Sequence, residues 1–203
     1  MTIEKGKDWG TVGTLAPGAP VVDSDAALAA LFAPDGDGLR GPSQVGLTSG
    51  DLATTIGARA NEHDLRNSAR TLLPLDLATV EVDGNQLVMA ASLVVRSRLW
   101  VGPVRAVMNA AHLGDWNVAP RGHPNDGRLD VVEANLKMGD WLKARKRLPA
   151  GIHVPHPDIS IRRLKSVTWE VTSGQRVWID RVFIGPARSV TVRVHRDATV
   201  VAI

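Results

Sequence analysis

The alternation of apolar and polar residues near the C-terminus constrains the fold more than any other feature of the sequence. Segment 189–194 reads Ser-Val-Thr-Val-Arg-Val, and the alternation recurs in segments 167–171 and 177–179. Successive residues of a strand point to opposite faces of a sheet, so each segment is predicted as a strand with one buried face. Turn dipeptides separate or follow these segments at Ser173-Gly174, Gly185-Pro186 and Arg196-Asp197. Short strands at this spacing predict a mostly β chain built as an antiparallel β-sandwich or barrel.

Strand-forming segments extend back to about residue 71. The turn Asp83-Gly84-Asn85 separates the β-rich runs 78–82 and 87–96, and further strands are predicted at 100–108 and 129–136. One helix is predicted in this half, from Asp140 to the stop at Pro149. Its apolar residues are expected on one side and its basic residues on the other, the two sets being Met138, Trp141, Leu142 and Leu148, and Lys143, Lys146 and Arg147.

Before residue 71 the chain reads as short helices and loops. Ser24 or Asp23 can cap a helix that runs through Phe32. A second helix is expected from Gly50 to Ile56, with Ser49 as its cap, and a polar segment at 61–70 is also a helix candidate.

Composition excludes several classes of function. The 203 residues contain no Cys, which removes disulfides, thiolate catalysis and Cys-based metal sites. The longest nearly apolar stretch, 87–95, is far shorter than the roughly 20 residues of a membrane-spanning helix. The first ten residues do not resemble a signal peptide. The expectation is a cytoplasmic protein that associates with a membrane, if at all, at its surface.

Positive charge is concentrated in residues 137–165. That segment holds eight Lys and Arg against two Asp, a surplus of six positive charges. Such a patch points to an anionic partner, and lipid head groups, nucleotides and nucleic acids all fit that description. The six Trp are spread from Trp9 to Trp178, so no base-stacking platform is visible, which disfavours nucleic acid.

The loop 119–130 contains the turn pair Asp126-Gly127. A carboxylate beside turned backbone carbonyls suits a hard cation such as Mg²⁺, whereas the same residues also form ordinary Asx turns. His153 and His156 lie in a Pro-interrupted segment without a nearby third ligand, so structural or surface roles are expected for the histidines.

Three C-terminal segments, APRGHPNDGRLDV (119–131), GIHVPHPDI (151–159) and VWIDRVFIGPARSVTVRV (177–194), together resemble the bacterial diacylglycerol kinase-like lipid kinases. That family includes sphingosine kinases and is distantly related to NAD kinases. The resemblance implies a β-sandwich at 78–203 and, at 1–77, a truncated α/β remnant of a nucleotide-binding lobe.

In the N-terminal half, residues 45–57 are similar to the family's Gly-Thr-Gly-Asn-Asp-x-Ala helix start, and residues 21–28 take the place of its Gly-Gly-Asp-Gly-Thr motif. The resemblance therefore implies nucleotide-contacting roles for four residues: Asp25, Thr48, Ser49 and Asp51. Alanines 26 and 27 replace glycines, and backbone N–H groups approach phosphates closely only where side chains are absent. This loss argues against ATP binding.

The catalytic motif is altered as well. Where the family has Asp-Gly-Glu with Glu as the general base, this chain has Asp180-Arg181-Val182, and Val182 has no proton acceptor. Asp25 and Asp180 remain as candidate catalytic carboxylates. The family's structural Mg²⁺, carried over by position, would be held by the Asp126 carboxylate and the carbonyls of His123 and Arg128.

The expectation is a catalytically inactive lipid kinase-like protein that binds a lipid, an anionic surface or a protein partner. The alternative is an active ATP-dependent lipid kinase whose cleft is completed by a second subunit, as a homo-oligomer.

Overall fold

The computed structural model describes residues 9–100 and 102–203, which form mostly β-structure. The described helices are α1 (Asp25–Ala30), α2 (Asp51–Ile56), α3 (Glu62–Asn67) and α4 (Met138–Arg147), the last followed by a 3₁₀ turn, Leu148–Ala150. The described strands are β1 (Thr11–Gly13), β2 (Val21–Val22), β3 (Ala33–Asp35), β4 (Gly38–Arg40), β5 (Gln44–Leu47), β6 (Arg70–Val82), β7 (Asn85–Met89), β8 (Ser92–Ser97), β9 (Val104–Met108), β10 (His112–Leu113), β11 (Trp116–Asn117), β12 (Leu129–Ala134), β13 (Ile159–Leu164), β14 (Ser166–Glu170), β15 (Gln175–Ile179), β16 (Val182–Gly185) and β17 (Ser189–Ala202).

Two sheets pack face to face. The first, here called the mixed sheet, has the order β1-β6-β17-β5-β2, with β7 on β6 and β14 on β17; β5 runs parallel to β17 and β2. The second, here called the antiparallel sheet, has the order β13-β12-β9-β8-β15-β16. Side chains from both sheets share one buried core, including Val80 and Val192 from the mixed sheet and Leu93, Val107 and Val131 from the antiparallel sheet. The predicted sandwich is therefore confirmed.

The N-terminal helices pack on the far end of the mixed sheet. Leu28 of α1 and Leu52 of α2 are fully buried with Leu47 of β5, Leu75 of β6 and Val201 of β17. The long strands β6 and β17 run through both cores, and the boundary predicted between residues 77 and 78 falls inside β6. The division into two domains stays a prediction.

Helix α4 covers the outer face of the antiparallel sheet. Alternate residues of the central strands point there, among them Val94 of β8, Ala106 of β9 and Val132 of β12, and all three are buried. Ala144 of α4 is buried on the side facing the sheet, whereas Leu142 is half exposed. The antiparallel sheet is thus apolar on both faces, which is characteristic of strands covered on both sides.

Most predicted elements are confirmed. The run predicted at 87–96 is divided between β7 and β8, and the strand predicted at 100–108 begins at Val104. The other corrections concern the helices. Ser24 caps α1, its Oγ accepting the N–H of Ala27, as expected. Ser49 does not cap α2, because the N-cap residue is Gly50 and the capping oxygens come from another helix, as described below. Helix α4 begins at Met138 rather than Asp140, and Met138 and Leu142 face outward instead of joining Trp141 and Leu148 against the sheet.

Candidate functional site

Asp25 occupies the first turn of α1 and points at the N-terminus of α2. Its Oδ2 accepts the N–H of Asp51 at 2.6 Å and its Oδ1 accepts that of Leu52 at 3.1 Å. A helix N-terminus leaves such N–H groups without partners, and a carboxylate satisfies them. Gly50 permits the approach: its φ is +117°, and a Cβ there would lie 2.6 Å from Asp25 Oδ1. Asp25 is thus committed to joining two helices.

Asp180 is bonded in a similar way. It lies in the turn between β15 and β16, and its carboxylate accepts the N–H groups of Ala90, Ala91 and Ser92 at 2.7–2.9 Å. The neighbouring Val182 is half exposed and has no proton acceptor. Both predicted catalytic carboxylates therefore have their oxygens engaged by backbone N–H groups.

The other predicted nucleotide-contacting residues are divided. Asp51 is buried, its Oδ1 accepting the Gly114 N–H at 2.8 Å and lying 3.9 Å from Nη1 of Arg181. The Thr48 hydroxyl donates to the Val22 carbonyl at 3.2 Å, so it ties β5 to β2. Ser49 is exposed.

The three aspartates share one electrostatic environment. Burial is the largest cause that raises the pKa of Asp25, and together with the charges of Asp180 and Asp51 it brings this pKa to about 7 against the opposing effect of the backbone hydrogen bonds. Burial likewise raises the pKa of Asp180 to about 6 and raises that of Asp51. Like-charged carboxyls in a dry site oppose one another's ionisation. The structure thus brings Asp25, Asp51 and Asp180 near one another, whereas their nucleotide-contacting and catalytic roles stay predictions.

The Asp126 loop shows the ordinary turn. Asp126 Oδ1 accepts the Arg128 N–H at 2.9 Å, and its Oδ2 pairs with the Arg163 guanidinium. The Arg128 side chain is exposed, and the His123 ring packs edge-on against Trp9. Within residues 9–100 and 102–203, no three His, Asp or Glu side chains cluster as a metal site. The Asp126 carboxylate would have to leave Arg163 to bind Mg²⁺, and the magnesium site stays a prediction.

A cavity that the sequence did not reveal lies between α4 and the outer face of the antiparallel sheet. It has a volume of about 90 Å³. Its lining is almost wholly apolar and includes Val94, Trp100, Trp116, Val132, Ala144 and Leu148. His153 also lines it, and burial lowers the pKa of that imidazole, which favours the neutral form. The available signal was the unbroken apolar run Leu93-Val94-Val95 of β8, which indicates a strand buried on both faces.

A larger cavity of about 520 Å³ adjoins the apolar one. The two share Val94, Trp100, Leu113, Trp116 and Arg145. The larger cavity adds Arg96, Arg181 and Trp178. No helix within the described parts of the chain is long and apolar enough to cross a bilayer.

Comparisons with known proteins give a match by fold alone. No family model and no curated protein matches the sequence. A solved structure described as "A putative diacylglycerol kinase from Bacillus anthracis str. Sterne" superposes with a TM-score of 0.58 at 13% identity, over 78% of this chain and 69% of that one. A second structure with a similar description superposes with a TM-score of 0.58 at 12% identity, over 78% of this chain and 68% of that one. A third, described as "diacylglycerol kinases" from the same organism, superposes with a TM-score of 0.53 at 14% identity, over 78% of this chain and 66% of that one.

These structures confirm at the level of fold the resemblance that three separate sequence segments indicated. At 12–14% identity they carry no residue roles across. The chain has the fold of structures described as diacylglycerol kinases.

Proposed function

We propose that this protein is a lipid kinase-like protein that binds a lipid without phosphorylating it. The observation that carries the proposal is the apolar cavity beneath α4. A space lined by Trp, Val, Ala and Leu side chains favours hydrocarbon over water, because water inside it would lose hydrogen bonds. The sandwich core proper lies on the other face of the same strands. The cavity is therefore not a space that the two-sheet packing requires.

Three observations support the absence of phosphoryl transfer. Such transfer depends on placing nucleotide phosphates and metal ions and on a base for the substrate hydroxyl. The carboxylate oxygens of Asp25 and Asp180 accept hydrogen bonds from five backbone N–H groups. Val182 takes the position of the family's general base. Freeing either carboxylate for a metal or a nucleotide would leave buried N–H groups unpaired.

The surface outside the cavity suits a membrane. Met138 and Leu142 of α4 and Ile152 just beyond it are 61%, 51% and 64% exposed. Lys143, Lys146 and Arg147 lie on the same helix and are also exposed. Exposed apolar side chains flanked by basic ones are typical of segments that lie in the headgroup region of an anionic bilayer.

Filling the cavity tests lipid binding. Ala144→Leu places a larger side chain on the buried face of α4 with little change in helix propensity. The matched control is Ala30→Leu, which makes the same change at an exposed position of α1 that lines neither cavity. We expect Ala144→Leu to weaken the binding of a brominated single-chain lipid at least tenfold, measured by quenching of Trp fluorescence, and Ala30→Leu to bind normally. Equal binding by both variants, or no quenching of the wild type, would contradict the proposal.

The same preparation separates this function from the active-kinase alternative. A nucleotide at a hundred times its dissociation constant would stabilise the fold by about 2.7 kcal/mol. We expect ATP with Mg²⁺ to leave the melting temperature unchanged and to yield no phosphorylated diacylglycerol. A thermal shift that disappears in Asp25→Ala, together with turnover, would establish the kinase instead.

A further inference from the structure

The two adjoining cavities differ in chemistry. The inner one beneath α4 is apolar, whereas the outer one is lined by Arg96, Arg145 and Arg181. They meet along a shared wall that includes Trp100 and Trp116. A single occupant that spans both would need a hydrocarbon part and a polar part at one end.

Arg96 is held firmly at this junction. Its guanidinium carbon lies 4.1 Å from the centre of the Trp100 ring and 3.8 Å from that of Trp178. One of its terminal nitrogens, Nη1, donates to the carbonyls of Ser97 and Arg98 at 3.0 and 3.1 Å. Stacking between two aromatic rings fixes the plane of the fork, and a guanidinium has five N–H donors in all. Donors beyond those two bonds can face the cavity.

The other two arginines approach from opposite sides. Arg145 of α4 lies over the rings of Trp141 and Trp116 at 5.2 and 6.0 Å. Arg181 lies in the β15–β16 turn with a φ of +67°, a conformation that glycine adopts easily and other residues rarely. The turn thus places the long cationic side chain of Arg181 at a position where a glycine would be less strained. Strained residues of this kind concentrate at binding and catalytic sites.

Positive charge exceeds negative charge around the outer cavity. Its lining contains three Arg and one carboxylate, Asp115, which is exposed. Among residues 9–100 and 102–203, neither Arg96 nor Arg145 forms an ion pair. Arg181 has only a distant pairing with Asp51, at 3.9 Å. Three guanidinium groups facing one space repel each other, and an anion between them would remove that repulsion.

We propose that the ligand is an anionic single-chain lipid, with its hydrocarbon in the cavity beneath α4 and its carboxylate or phosphate held by Arg96, Arg145 and Arg181. This inference rests on the proposed lipid-binding function and names the chemical class of its ligand. Arginine suits either headgroup because its planar fork donates two parallel hydrogen bonds to such oxygens. The rings of Trp100 and Trp178 hold the Arg96 guanidinium in place for these contacts.

Three ligands with one chain length test the inference on the full-length protein. Decanoate, decyl phosphate and 1-decanol share their hydrocarbon and differ in charge. We expect both anions to bind at least tenfold more tightly than the alcohol by calorimetry, and the difference to shrink as salt concentration rises. The variant Arg145→Gln/Arg181→Gln should lose at least tenfold in affinity for the anions and keep its affinity for decanol.

The control variant is Arg40→Gln/Arg59→Gln, which removes two positive charges from exposed positions that do not line either cavity. It should bind all three ligands as the wild type does. If decanol binds as tightly as the anions and the Arg145/Arg181 variant changes nothing, the headgroup assignment is wrong while lipid binding stands. If no ligand binds, both the assignment and the proposed function fail. Tight binding of only one of the two anions supports the arginine site and identifies its headgroup.

Discussion

The aspartates at three of the kinase-like motif positions serve as hydrogen-bond acceptors for the backbone. Asp25, Asp51 and Asp180 lie together, as nucleotide-contacting residues would, yet each accepts hydrogen bonds from backbone N–H groups. The hydrogen bonds of Asp25 to α2 require a glycine at position 50, because any Cβ there would collide with the Asp25 carboxylate. In this chain Asp25 fastens α1 to α2, and Asp180 fastens the β15–β16 turn to the segment between β7 and β8.

Removal of the Asp25 charge should change how stability depends on pH. The pKa of folded Asp25 is raised to about 7 from 3.8. Its protonated form is therefore favoured by folding, and this contribution is present below about pH 4 and lost as pH rises through 7. Relative to Asp25→Asn, the wild type should lose up to about 4 kcal/mol of unfolding free energy over that range, at about 1.4 kcal/mol per pKa unit.

Urea denaturation at intervals from pH 4.5 to 8 measures this difference. Asp35→Asn, which removes an exposed carboxylate of β3, is the control and should keep the wild-type slope. Parallel pH profiles for the wild type and Asp25→Asn would show that Asp25 does not titrate in this window.

At the level of elements, α4 has one side that lines a cavity and one side that is exposed. Its inner side, with Ala144, closes the apolar cavity, and its outer side exposes Met138 and Leu142. A helix packed only for stability would bury such side chains, since each buried Leu or Met contributes about 1.5–3 kcal/mol. If the proposed lipid-binding function holds, we expect this outer side to be the part of the surface that contacts a bilayer.

Polar substitutions on α4 should weaken binding to anionic vesicles. We expect Met138→Gln/Leu142→Gln to lower the partition coefficient onto phosphatidylglycerol-containing vesicles at least tenfold, because two insertable side chains are lost. Sedimentation with the vesicles measures the bound fraction. Val12→Gln/Leu87→Gln, which alters exposed apolar residues elsewhere, should bind as the wild type does. Equal losses in the two variants would mean that α4 is not the membrane-facing element.

In the whole molecule, strands β6 and β17 join the two parts that the sequence predicts as separate domains. Within β6, Leu75 pairs with Thr199 of β17 and Leu72 pairs with Ala202, while β17 also pairs in parallel with β5. The sandwich therefore shares its longest strands with the N-terminal α/β part. The mixed sheet is therefore complete only when both parts are present.

An isolated fragment of residues 78–203 should not fold cooperatively. It would lack the first half of β6 together with α1, α2 and β5, and so would expose Val201 and leave the end of β17 unpaired. We expect a broad thermal transition by circular dichroism and rapid cleavage by trypsin, where the full chain unfolds sharply. A fragment with a sharp transition and a dispersed NMR spectrum would establish an independent sandwich domain.

The sequence by itself determined the β-sandwich, the cap of α1 and the resemblance to lipid kinases. These follow from local rules: period-two alternation, a Ser before a helix and motif order along the chain. The cap of α2 was beyond such rules, because its oxygens come from Asp25, 26 positions away in the sequence. The cavities and their three arginines were equally hidden, since they form only when α4 covers strands from three distant segments. Side chains that meet through tertiary packing have no signature in sequence spacing, so the tertiary structure alone decided the site.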